Sequence, residues 1–75
     1  MRLFSVARIV ARRLNVNESK MVELLLFSQF ARNALEGVDI DRITKLDLYN
    51  IICQVEPVDR RERQTINQLK RQLLS

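Results

Sequence analysis

The 75-residue sequence predicts a small all-α domain built from four helices. One glycine and one proline in the whole chain leave few residues suited to β-turns. Apolar residues make up 47% of the chain, as in a folded protein, and they recur mainly at helical spacing. The predicted helices cover residues 2–14, 18–36, 44–55 and 60–74, and short loops join them into a single domain spanning residues 1–75.

The first predicted helix, residues 2–14, is amphipathic and carries no acid. Its apolar face contains Leu3, Ala7, Val10, Ala11 and Leu14, with Phe4 beside them. Asn15 tolerates the left-handed backbone that ends a helix, and Asn17 is a favourable N-cap for the next one. An arginine-rich, acid-free start is also typical of a mitochondrial presequence or a membrane-surface helix. We favour a core helix, because a chain this short needs its apolar face.

The second predicted helix, residues 18–36, is the longest and lies at the centre of the predicted domain. Its apolar residues change sides: Met21, Val22, Leu24 and Leu25 share one side, and later residues cluster on the other. A helix that is apolar on two sides needs partners on both. We therefore expect a homodimer formed through Leu24, Phe27, Phe30, Ala31, Ala34 and Leu35. The alternative is a monomeric four-helix bundle that buries both sides internally.

The third predicted helix begins at a capping box formed by Thr44 and Asp47. Gly37 ends the preceding helix, and residues 39–43 are interpreted as a turn, although Asp39 could instead cap a helix starting at Ile40. The helix face consists of Leu48, Ile51, Ile52 and Val55. Cys53, the only cysteine, lies among aliphatic residues and is expected in the core.

The fourth predicted helix, residues 60–74, has Asp59 as its N-cap and Glu62 three residues later, as in another capping box. Its apolar stripe is narrow, with Ile66, Leu69 and Leu73 at coiled-coil spacing. Such a stripe is typical of a peripheral helix, docked on the domain or on another subunit.

The charge distribution places basic ends around an acidic middle. Residues 1–17 carry a net charge of +4, residues 18–59 a net charge of −4, and residues 60–75 a net charge of +4. The simplest interpretation is solvated helix faces. The sharper hypothesis is one basic surface for nucleic acid or an acidic protein partner. Its candidate contact residues are Arg2, Arg8, Arg12, Arg13, Arg60, Arg61, Arg63, Lys70 and Arg71.

Residues 7–26 carry the spacing of two helices joined by a tight turn. A small residue, Ala11, is accompanied by apolar residues at Val10, Leu14, Val16, Met21 and Leu24. This stretch, about a quarter of the chain, resembles a helix-turn-helix, with Asn15 where that motif usually has glycine. The resemblance implies that the groove-facing residues are Asn17, Glu18, Ser19, Val22, Glu23 and Leu26. Two of them are carboxylates, which repel a phosphate backbone, so the match is better for packing than for DNA recognition.

The composition removes most catalytic chemistry. With no histidine and one cysteine, neither a zinc site nor a histidine general base is available, and no glycine-rich phosphate loop is present. The aromatic residues Phe4, Phe27, Phe30 and Tyr49 lie on apolar faces and are expected in the core. No apolar run exceeds four residues, so we expect no transmembrane segment.

These features predict a non-catalytic protein without cofactor, metal or small-molecule substrate, in a reducing cytoplasm. The first functional hypothesis is a small helical regulator or adaptor that homo-oligomerises through its second helix and binds a macromolecule with its basic helix faces. The alternative is a helix-turn-helix DNA-binding regulator using residues 7–26.

Overall fold

The computed structural model describes residues 2–75 and contains five α-helices. In chain order these are α1 (Leu3–Leu14), α2 (Glu18–Phe27), α3 (Gln29–Glu36), α4 (Lys45–Cys53) and α5 (Arg60–Leu74). No strand occurs in this part of the chain. The predicted all-α class is confirmed, but the predicted number of helices is wrong by one.

The difference arises at Ser28, which divides the predicted continuous helix 18–36 into α2 and α3. Ser28 has extended backbone angles (φ −113°, ψ 103°) and serves both helices. Its N–H donates to the carbonyl of Leu24, ending α2, and its hydroxyl accepts the N–H of Ala31 at 3.0 Å, capping α3. The prediction of a long second helix is therefore wrong, because one serine satisfies the backbone groups on both sides of the break.

Arg32 completes this junction from the α3 side. Its Nη1 donates to the carbonyl oxygens of Leu25 and Leu26, two of the carbonyls left without helical partners where α2 ends. The guanidinium therefore acts as a side-chain cap for α2, and the two helices meet without an unsatisfied buried side-chain atom in the described residues.

One hydrophobic core connects all five helices. α2 packs against α1 on one side and against α5 on another, while α3 contacts α2 and α4. α5 also packs on α4, so the predicted peripheral helix is docked on the chain's own domain through Thr65, Ile66, Leu69 and Leu73. The predicted apolar face of α1 is confirmed at its four buried members, Ala7, Val10, Ala11 and Leu14.

Most of the predicted helix ends are confirmed by their hydrogen bonds. Asn15 adopts the left-handed conformation (φ 57°, ψ 48°), and the side chain of Asn17 accepts the N–H of Lys20 at 3.0 Å. Thr44 and Asp47 form the reciprocal capping box. Residues 40–42 form a turn rather than a helix.

Two other ends differ in detail. Gly37 does end α3, but with right-handed backbone angles (φ −85°, ψ −2°). Asp59 caps α5 by accepting the N–H of Glu62, whereas Glu62 itself accepts the N–H of Val58 rather than that of the cap residue. The predicted second capping box is therefore half formed.

Several residues that were expected in the core lie at the surface. Cys53 is exposed, and the exposed fractions of Phe4 and Phe30 are 64% and 45%. α4 buries only the side that carries Leu48, Ile51 and Ile52. A 75-residue chain cannot cover two apolar faces on every helix, and the second faces are the ones left open.

Candidate partner-binding surfaces

The outer face of α5 carries three exposed arginines, Arg60, Arg63 and Arg71, here called the α5 arginine strip. Their spacing places them within one side of the helix over a length of about 16 Å, at 1.5 Å per residue. None of the three makes an ion pair with another described residue. The exposed amides Gln64 and Asn67 lie between them on the same face.

The single carboxylate of α5 lies away from this strip. Glu62 is half-buried and accepts the N–H of Val58 at 3.1 Å, so it is held at the inner side of the helix. The outer face of α5 is therefore acid-free, and its positive charge is not neutralised within the helix.

α5 is held against α2 and its N-cap by three polar contacts in addition to its buried apolar side chains. The hydroxyl of Thr65 donates to Glu23 Oε2 at 2.7 Å, and the N–H of Asn17 donates to Gln72 Oε1 at 2.8 Å. Arg61 Nη2 lies 3.5 Å from Glu23 Oε1. These contacts hold both ends of α5 against α2 and its N-cap, so the α5 arginine strip has a defined position relative to the core.

Within the described part of the chain, Glu23 is the one titratable group with a clearly shifted pKa. The hydrogen bond from Thr65 is the largest cause and lowers the pKa of Glu23. Lys20 and Arg61 lower it further, while partial burial of the carboxylate opposes them. Glu23 is consequently held as a carboxylate at neutral pH and joins α2 to α5.

The helix-turn-helix resemblance is matched in packing but not in an open reading face. All six of its core positions, Val10, Ala11, Leu14, Val16, Met21 and Leu24, are buried. Of the residues expected to face a DNA groove, however, Asn17 and Glu23 contact α5, and Val22 is packed against the core. α5 therefore covers part of the face that α2 would turn toward DNA.

The remaining basic residues proposed as partner contacts differ in their exposure and in the contacts that they make within the chain. Arg13 Nε donates to the Ile43 carbonyl at 2.9 Å and so has a structural contact. Arg8 Nε lies 3.9 Å from Glu18 Oε2, a weak exposed pair. Arg2 and Arg12 are exposed, and Lys70 is half-buried.

The two basic ends of the chain are brought together at one point. The Asn17–Gln72 hydrogen bond places the last turn of α5 beside the turn that follows α1. The last turn of α5 carries Arg71, and the last turn of α1 carries Arg12 and Arg13.

The predicted oligomer interface is divided by the fold. Leu24, Ala31 and Leu35 are buried within the single chain, Phe27 and Ala34 are half-buried, and Phe30 is exposed. An interface made of all six residues is therefore not presented by this chain, because three of them are buried in its own core.

Phe30 instead borders an open groove of about 380 Å³, here called the α3 groove. Its lining includes Phe27, Phe30, Val55, Val58, Glu56 and Glu62. A second depression of about 220 Å³ continues it past Leu26. Val58 is 84% exposed and Leu26 is 59% exposed. Sequence analysis placed Leu26 on a groove-facing surface only through the helix-turn-helix resemblance, and it did not identify Val58 as surface-forming, since periodicity does not distinguish an apolar residue in the core from one at a rim.

Other classes of site find no support in the part of the chain that is described. Residues 2–75 contain no group of three or more acidic or sulfur side chains arranged to hold a metal ion. None of the five helices is both long enough and apolar enough to cross a membrane. Comparison of the chain with protein-family models, curated proteins and solved structures finds no match.

Proposed function

We propose that this protein is a non-catalytic helical adaptor or regulator that binds nucleic acid through the outer face of α5. The observation that carries the proposal is the α5 arginine strip. Its three guanidinium groups are exposed and have no ion-pair partner among residues 2–75, and the helix that carries them is packed onto the core on its opposite side.

The chemistry of this face fits a phosphate backbone. Guanidinium groups bind phosphate oxygens bidentately and remain charged at every accessible pH. Gln64 and Asn67 lie between the arginines and are side chains suited to hydrogen bonding with base edges. An acidic protein could meet the same charges, and the experiment below distinguishes the two kinds of partner. The Asn17–Gln72 hydrogen bond places the turn that follows α1 beside the last turn of α5.

The proposal is tested by binding of a fluorescently labelled 20-base-pair duplex, measured by anisotropy at several salt concentrations. Three phosphate contacts predict a slope of about −3 in a plot of log affinity against log salt. The variant R63E/R71E should weaken binding by about 100-fold or more, on the basis of two lost charge-assisted contacts of about 1.5 kcal/mol each.

The matched control is R42E/K45E, which changes the net charge by the same amount at exposed positions outside α5. It should stay within about threefold of the wild type, since distant exposed charges are screened. Equal losses in both variants, or no duplex binding by the wild type at low salt, would refute the proposal. Binding of an acidic peptide but of no nucleic acid would assign the strip to a protein partner instead.

A second candidate is DNA recognition through α2. It is favoured by the six buried helix-turn-helix positions and by the left-handed Asn15 in the turn. Two single substitutions that each add one negative charge separate the candidates. Ser19→Glu lies on the α2 face and Asn67→Glu lies on the α5 face, and both residues are exposed. Binding that is lost with Asn67→Glu and kept with Ser19→Glu supports α5, and the opposite result supports α2.

A further inference from the structure

The α3 groove combines apolar walls with an acidic rim. Phe27, Phe30 and Val55 supply its apolar surface, together with Val58 at the edge. Among the described residues, the only charged ones in its lining are the carboxylates Glu56 and Glu62. Glu56 is exposed and makes no ion pair or side-chain hydrogen bond with the described residues. A ligand for this groove should therefore carry an apolar group flanked by positive charge.

α1 presents that combination at the surface of the same chain. Phe4 is 64% exposed, and Arg8 lies four residues later, so the two side chains are neighbours on one ridge of the helix. α1 contains no acidic residue, and Arg2 precedes Phe4 by half a turn. We call Phe4 and Arg8 the Phe4 ridge.

We propose that the α3 groove of one copy receives the Phe4 ridge of a second copy. The aromatic ring of Phe4 enters the apolar groove of the other copy. Within its own chain, Arg8 has only a weak, exposed pairing with Glu18 at 3.9 Å. Arg8 can therefore turn toward Glu56 of the other copy. Burial of a phenylalanine against apolar walls supplies the attraction, and the opposite charges select the orientation.

This contact is heterologous, because it joins two different surfaces. Each copy retains a free groove at one end and a free ridge at the other, so copies add head to tail into an open chain or a closed ring. The α5 arginine strip takes no part in the contact. The proposal therefore stands independently of nucleic-acid binding, and assembly would repeat the strip at regular intervals.

The test is sedimentation equilibrium of the purified protein without nucleic acid, over about 10 µM to 1 mM, the range expected for a small transient interface. The wild type should show an average mass that rises with concentration and passes that of a dimer. Phe4→Ser and Val58→Asp alter exposed residues on the two halves of the contact, and each alone should remain monomeric. Leu74→Ser, at a residue 70% exposed and outside the contact, should associate like the wild type.

The decisive experiment mixes the two variants Phe4→Ser and Val58→Asp. The Phe4→Ser chain keeps its groove and the Val58→Asp chain keeps its ridge, so an equimolar mixture should form a 1:1 dimer that grows no further. A monomeric mixture beside an associating wild type would overturn the proposal. So would a wild type that stays monomeric at 1 mM, or a dimer that survives Phe4→Ser and is lost on Phe30→Ser.

The charge pairing is tested in the same way. Glu56→Arg and Arg8→Glu should each weaken association by about tenfold, on the basis of one lost close charge pair. A mixture of the two variants contains matched opposite charges and should associate more strongly than either alone. Equal behaviour of the mixture and the separate variants would contradict the assigned orientation. Far-UV circular dichroism verifies that each variant keeps the helical content of the wild type.

Discussion

Replacement of Ser28 by alanine tests the broken helix through the sign of its effect. In the structure the Ser28 hydroxyl accepts the Ala31 N–H at 3.0 Å, and the residue is only 6% exposed. Removal of an N-cap oxygen costs about 0.5–2 kcal/mol, and here the N–H left behind is shielded from water. We expect Ser28→Ala to lower the free energy of unfolding by about 1–2 kcal/mol.

A continuous helix over residues 18–36 makes the opposite prediction. Alanine is a better residue than serine inside a helix, so the same substitution would then stabilise the protein by about 0.5 kcal/mol. Urea unfolding followed at 222 nm distinguishes the two. For a domain of this size, a slope of about 1 kcal/mol per molar urea converts the expected loss into a midpoint lowered by about 1–2 M.

The control is Gln29→Ala at the exposed first residue of α3. It makes the same kind of change without removing the cap, and its effect should lie within about 0.5 kcal/mol of zero. A Ser28→Ala protein as stable as the wild type, or more stable, would refute the role assigned to the hydroxyl and the break that depends on it.

Three further predictions concern α4, α5 and their contacts. Leu73→Ala should lower the free energy of unfolding by about 2–4 kcal/mol, because the Leu73 side chain is 6% exposed. The adjacent Leu74→Ala should lower it by under about 0.5 kcal/mol, because Leu74 is 70% exposed. Thermal unfolding of the two variants measures the difference. Cys53 should react with a thiol reagent in the native protein as fast as in urea-unfolded protein, because it is exposed; protection until unfolding would contradict its placement. Thr65→Val should raise the pKa of Glu23 in an NMR titration, since the largest cause of its lowered pKa is removed. In the wild type, the stabilisation from Glu23 should be present at neutral pH and be lost as pH falls through its lowered pKa, and Glu23→Gln should flatten that dependence.

The helix ends that sequence analysis located correctly are those governed by local chemistry. Asn15, Asn17, Thr44 and Asp59 each act on backbone groups within a few residues, and a capping side chain has the same partners in any fold. The break at Ser28 has a weaker signal, because apolar residues continue on both sides of it and serine is tolerated inside helices. The break is also stabilised by Arg32, which donates hydrogen bonds to carbonyl oxygens six and seven residues earlier in the chain.

The candidate surfaces likewise combine features that can be read from the sequence with features that depend on the fold. The sequence identifies the arginines of α5, since charge is a property of the residue. It does not show that Arg61 pairs with Glu23 while Arg63 has no ion-pair partner in the described part of the chain, because that depends on how α5 lies on α2. The exposure of Phe30 and Val58 depends likewise on which apolar faces the neighbouring helices cover.

The contacts that hold α5 also determine when the fold can close during synthesis. Thr65 and Glu23 are 42 residues apart in the chain, and Gln72 and Asn17 are 55 apart. α1 and α2 can pair as soon as they leave the ribosome, since they are adjacent in sequence and their mutual contact is extensive. The face of α2 that carries Glu23, however, stays open to solvent until Leu69 and Leu73 have emerged. A nascent chain that stalls after α4 therefore displays an apolar, half-built surface, of the kind that chaperones bind.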